Sequence, residues 1–134
     1  MSLSHLIYAS QPFGYDESVL AGILLDARRC NKRDGITGAL ICRADIYLQM
    51  LEGPEQQVAA TFERIRGDDR HLDIRVLASE AVDERMFGAW DMLHDPAKSW
   101  LWTREEIIDG ALDRATPDDV TAVFAGLAAK ATVD

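Results

Sequence analysis

ITGALICRADIYLQML, residues 36–51, reads as two strands with a break between them. Ile36–Arg43 and Ile46–Leu51 are rich in aliphatic and β-branched residues, and Ala44-Asp45 between them makes a short hairpin connection. Glu52-Gly53-Pro54 closes the second strand, and Pro54 suits the first position of a helix, where its missing N–H costs nothing. That helix carries Val58, Thr61, Phe62 and Ile65 on its inner face and ends at Gly67-Asp68-Asp69. Ile74–Ser79 is a fourth strand, and a weaker fifth covers Ala89–Leu93 after a helical turn near Glu84–Gly88.

Working back from the hairpin, Gly35 stops an earlier helix whose Leu20, Ile23, Leu24, Ala27 and Asn31 recur on one face. Asp16 caps its start, and Arg28, Arg29, Lys32 and Arg33 crowd its C-terminal end, which favours positive charge. Leu3–Ser10 is the first strand, centred on Ile7 and Tyr8, and Gln11–Tyr15 is a loop. The order β-α-β-β-α-β is the split-βαβ arrangement of an α+β, ferredoxin-like fold. A mainly antiparallel sheet with a fifth strand carries two helices on one face. Thr103–Ala111 and Pro117–Ala131 read as two more helices that cover the other. Residues 1–95 make the sheet and its helices, and 96–134 are a helical extension on the same domain.

The chain has 134 residues, 48% hydrophobic and 28% charged, which suits one soluble domain with a proper core. Its net charge of −9 opposes nucleic-acid partners and anionic membrane surfaces, both of which reward Lys and Arg. No apolar run approaches the roughly 20 residues that span a bilayer, and the N-terminus enters a strand without a secretory signal. A cytoplasmic address follows, and there Cys30 and Cys42 are expected as two reduced thiols. His5, His71 and His94 are scattered without metal-ligand spacing. No CxxC, HExxH, P-loop or GxGxxG occurs, and Ser10 has no nucleophile-elbow context. An enzyme is not expected.

The informative residues are polar ones in apolar places. Gln49 sits mid-strand in YLQML, and a buried amide left unpaired costs about 1–3 kcal/mol. Asn31 closes the apolar stripe of the first helix, where a C-terminal cap is the plain alternative. Tyr8 is central in the first strand, where a core tyrosine with a local bond is the ordinary case.

Together with LIYAS (6–10), GITGAL (35–40), YLQMLEG (47–53), DDRH (68–71) and RMFGAWDM (85–92), these residues resemble the BLUF family of blue-light receptors that use FAD. The match runs in order from about residue 3 to residue 93. The resemblance implies a flavin held between the two helices on the sheet, with Leu24 and Ile65 as an aliphatic sandwich. Burial of such a ring gains about 25 cal/mol per Å² of apolar area. Asn31 matches the family residue that bonds the flavin carbonyl edge, and its amide complements an edge of acceptors and a donor. Gln49 matches the glutamine between flavin and tyrosine, and Tyr8 matches that tyrosine, the electron and proton donor. Trp90 and Met92 match the pair on the fifth strand that passes the signal on, a task suited to the pliable thioether.

The same resemblance makes Arg28, Arg29, Lys32, Arg64, Asp68, Arg70 and His71 candidates around the flavin tail, Arg64 and His71 matching best. Two departures stand out. Cys30 occupies a place where relatives commonly carry Asn or His, and Leu93 one where a small residue is frequent. FAD is the implied cofactor, with FMN or riboflavin as alternatives, since the ring is gripped more firmly than the tail. With no cyclase, phosphodiesterase or DNA-binding segment after the sensor motifs, signalling is expected through contact with an effector protein. A homo-oligomer is the expected assembly, with Trp100 and Trp102 at an interface or packed under the last helices. A flavin-free ferredoxin-like binding or assembly module shares the strand order and is the alternative. An acylphosphatase-type enzyme would need an Arg-Asn pair on a phosphate loop, for which Asn31 and Arg64 are a poor substitute.

Overall fold

A computed structural model of the chain describes residues 3–12, 17–43, 46–67, 71–88, 92–96 and 102–133. Within them run β1 (Leu3–Pro12), α1 (Glu17–Asp34), β2 (Thr37–Arg43), β3 (Ile46–Pro54), α2 (Glu55–Arg66), β4 (His71–Val82) and β5 (Leu93–Pro96). Three helices follow, α3 (Arg104–Ile108), α4 (Ala111–Arg114) and α5 (Pro117–Val133). The sheet order is β4-β1-β3-β2-β5. The first four strands pair antiparallel and give the ferredoxin-like core, and β5 joins parallel to β2. The fold is the expected α+β architecture.

Strand alternation divides the core into two layers, because successive side chains point to opposite faces. Leu6, Tyr8, Leu40, Cys42, Tyr47 and Leu51 pack with Leu20, Ile23 and Leu24 of α1 and Val58 of α2. Ile7, Ala9, Ala39, Ile41, Ile46, Leu48 and Met50 pack on the opposite face with Val120, Phe124 and Leu127 of α5. Half-buried Trp102 packs against this second layer, and its carbonyl accepts from Arg43 Nη1 at 2.6 Å. Cys30 and Cys42 form no disulfide, and Cys42 Sγ lies 3.0 Å from His94 Nε2.

The motif glycines have a packing cause. A Cβ on Gly38 would stand 2.0 Å from the Met50 carbonyl oxygen, so no side chain fits between β2 and β3 there. A Cβ on Gly53 would meet the Gly35 carbonyl at 2.8 Å. GITG and LEG therefore mark where the hairpin backbones close on one another.

Several boundaries differ from the sequence reading: β1 runs on to Pro12, β4 spans His71–Val82 instead of Ile74–Ser79, and four further differences have a local cause. Pro54 is the last residue of β3, with ψ at 137°, and the helix opens one residue later. The expected helical turn at Glu84–Gly88 is a run of bends, because Glu52 takes the N–H groups of Met86 and Phe87 at 2.7 and 2.6 Å. The fifth strand starts at Leu93, where parallel pairing with Ala39 begins, so Met92 precedes the strand instead of lying in it. The first of the two C-terminal helices is divided at Gly110, whose φ of +92° interrupts helical geometry between α3 and α4.

Candidate flavin site

Between α1 and α2 lies a cavity of about 210 Å³, lined by Ile23, Asp26, Ala27, Cys30, Asn31, Gln49, Leu51, Thr61, Arg64 and Ile65. Its walls come from the helical stripe Ile23–Ala27–Cys30–Asn31 on one side and Thr61–Ile65 on the other. The strand β3 closes the floor with Gln49 and Leu51. A lining of apolar residues with two primary amides suits a flat heterocycle with a polar edge.

Gln49 belongs to the floor because of register. It lies directly opposite Tyr8 on β1 and Leu40 on β2. Tyr8 is fully buried and its hydroxyl donates to Gln49 Oε1. The Gln49 Nε2 lies 3.4 Å from the sulfur of Met92. The amide thus joins a phenol on one side to a thioether on the other. Phe62 of α2 packs on the Tyr8 ring with centroids 5.5 Å apart. Tyr8 and Gln49 are both buried, where a hydrogen bond is strengthened by the low local dielectric.

Several of the expected site residues meet at this place. Cys30, Asn31, Gln49, Arg64 and Ile65 line the cavity, and Tyr8 and Met92 stand one contact behind it. Asn31 is 1% exposed although it lies in the last turn of α1, so it is an interior residue and not an exposed cap. Leu24 is buried in the same layer, but the α1 wall is made by Ile23 and Ala27, one step round the helix from the expected sandwich. Arg28 does not line the cavity. Its Nε donates to the Met92 carbonyl at 3.2 Å and ties α1 to the segment before β5. Arg29 is exposed and pairs with Asp26, and Lys32 is exposed. Trp90, Asp68, Arg70 and Trp100 lie outside the described residues, as does the side chain of His71.

At the cavity mouth, Arg64 stands 3.7 Å from Asp34, so the C-terminal end of α1 is linked to α2. The Arg33 hydrogen bond, more than any other neighbour, holds the Asp34 carboxyl below the usual carboxylate range, and Arg64 adds to it.

Asp26 lines the cavity although the sequence reading passed over it, and two further residues escaped that reading. Thr61 was legible only as a member of the apolar stripe, yet it brings a hydroxyl into the cavity. Glu52 was read as a strand terminus. It is 1% exposed, and its carboxylate accepts from Met86 N–H, Phe87 N–H and the Thr37 hydroxyl. That clamp fixes the start of the segment that leads to Met92. A charged residue in an otherwise apolar strand was the available signal, since a buried carboxylate needs such partners.

The profile of one family, "BLUF: Sensors of blue-light using FAD", matches residues 3–93, and the chain belongs to that family. It is 32% identical over 117 residues to the blue light- and temperature-regulated antirepressor BluF of Escherichia coli, covering 85% of this chain and 28% of that protein. It is also 32% identical over 89 residues to photoactivated adenylate cyclase subunit alpha of Euglena gracilis, covering 66% of this chain and 8% of that protein. The chain therefore corresponds to a small part of these curated relatives. Among solved structures, BlrB, a BLUF protein in its dark state, superposes with a TM-score of 0.79 at 28% identity, covering 96% of this chain and 97% of that one. Among the described residues, no helix is long and apolar enough to cross a membrane.

Proposed function

We propose that this chain is a cytoplasmic blue-light photoreceptor, not an enzyme, that binds FAD non-covalently between α1 and α2 and reports illumination to a partner protein. The observation that carries the reading is the Tyr8 hydroxyl bonded to Gln49, with Gln49 itself exposed to the cavity. The residues present fit the cofactor. Ile23, Ala27 and Ile65 supply apolar walls, Asn31 and Gln49 would meet a polar ring edge, and the Thr61 hydroxyl is buried there without a partner among the described residues. Arg64 lines the same cavity and would offer a cation to a phosphate tail. FMN or riboflavin satisfies the same ring contacts.

A bound flavin would supply blue-light absorption and a ring able to take up an electron and a proton. Tyr8 would be the residue able to give both, because its phenol is oxidisable and its hydroxyl already donates to the Gln49 amide. Gln49 relays: an amide donates from one end and accepts at the other, and exchanging those ends changes what it offers the ring and Tyr8. Rotation and amide–imide tautomerism both achieve this exchange. The Nε2 contact to Met92 makes the Met92 sulfur the first group outside the pair to sense it. Met92 leads directly into β5, with Trp90 two residues before it, so this edge of the sheet is the output route to an effector or to another copy of the chain. On this reading residues 1–95 are the sensor and 96–134 a helical extension that takes part in output.

A light-minus-dark absorption spectrum of the purified chain tests the proposal. A yellow protein with a small, reversible red shift under blue light is expected. Loss of that shift in Tyr8→Phe and in Gln49→Leu, with flavin still bound, is expected for the switch. A colourless folded protein, or a normal photocycle in Gln49→Leu, overturns the reading.

A further inference from the structure

Thr61 lies on α2 one turn before Ile65 and lines the same cavity. It is 2% exposed, and its Oγ1 has no hydrogen-bond partner among the described residues. A threonine inside a helix has a ready local partner in the carbonyl four residues back. Thr121 of α5 takes it, donating to the Pro117 carbonyl at 2.7 Å. Thr61 forgoes that bond. A valine has the same shape and no polar atom to leave unpaired, so the hydroxyl is a net cost to the fold unless something in the cavity meets it.

We infer that Thr61 is a ligand-contacting residue of this chain, whose hydroxyl bonds a heteroatom of the ring system held between α1 and α2 and so favours a heterocycle over an all-carbon ring of equal size. The inference rests on the flavin reading above and adds a polar contact from the α2 side, opposite Asn31. A hydroxyl both donates and accepts, so it serves an edge on which acceptors and a donor alternate. The contact is one of binding and positioning, separate from the Tyr8–Gln49 pair.

The test uses the full chain and riboflavin as the probe, with binding followed by flavin fluorescence in the dark. Thr61→Val is expected to weaken riboflavin binding about three- to tenfold, the worth of one hydrogen bond. Thr61→Ser, which keeps the hydroxyl, is expected to bind within about twofold of the wild type on the same scale. In the flavin-free chain the sign reverses, and Thr61→Val is expected to melt above the wild type because an unpaired buried group has been removed. Wild-type affinity in Thr61→Val, an equal loss in Thr61→Ser, or a flavin-free Thr61→Val that melts below the wild type overturns the assignment while leaving the photoreceptor reading standing. A wild-type chain that takes up no riboflavin, FMN or FAD overturns both.

Discussion

The two faces of the sheet are built from the same strands and are opposite in character. Toward α5, Ile41, Leu48, Met50, Phe87 and Phe124 form an apolar cluster, and the Phe87 and Phe124 rings meet edge to face at 6.2 Å. Toward α1 and α2, the intervening residues include Tyr8 and Gln49, and with Asn31 and Thr61 they surround a cavity. Along β3 the change occurs at every residue: Ile46, Leu48 and Met50 on one side, Tyr47, Gln49 and Leu51 on the other. The two-residue period of a strand lets one segment serve both purposes. One face secures the fold, which leaves the other free to keep polar groups and space.

This contrast is broken most directly on the filled side. Phe124→Ala is expected to cost about 3–5 kcal/mol in urea unfolding, as for a fully buried aromatic ring. A cost below about 1 kcal/mol would mean that α5 is a loose appendage and not half of the core. Glu52→Ala comes next, at about 2–3 kcal/mol, because two backbone N–H groups and the Thr37 hydroxyl lose their acceptor. Faster amide exchange at Met86 and Phe87 is the local sign of that loss.

Tyr8→Phe sharpens the contrast from the cavity side. It removes one hydrogen bond, so about 1 kcal/mol of stability is expected to go, while the light-induced shift disappears entirely. A large loss of stability with an intact shift would reverse the roles of the two faces. The smallest effect belongs to the cavity mouth. Asp34 has a folded pKa lowered by Arg33 and Arg64, so its stabilisation is present above the ordinary carboxylate pKa and is lost as pH falls through the lower folded value. Asp34→Asn is expected to flatten that acid limb slightly, and added salt to shrink the difference, because the pair is largely solvated.

Much of the fold was legible because local signals agreed with each other. The Ala44-Asp45 break, the stop at Gly35 and the helical stripe from Leu20 to Asn31 each pointed to the same strand order. The boundaries that misled were those decided by distant partners. Glu84–Gly88 has the composition of a helical turn, but its N–H groups are taken by a carboxylate more than thirty residues away. Met92 sits next to strand-forming residues, but pairing starts only where β2 is in reach. On the site, Tyr8, Asn31 and Gln49 stood out as polar residues in apolar runs, whereas Thr61 was hidden because a threonine on a helix face passes as apolar.

The amino-acid sequence by itself determined the alternation of strands and helices, and it carries the motifs by which residues 3–93 match the BLUF family. The first is a consequence of periodicity and the second of residue identity, both readable along one dimension. Only the tertiary structure decided that Tyr8 faces Gln49, that Gln49 reaches Met92, and that Glu52 holds the segment before them. A hydrogen bond depends on the position of two atoms in space, and residues 41 or 43 apart in the chain acquire that position only when the sheet has closed.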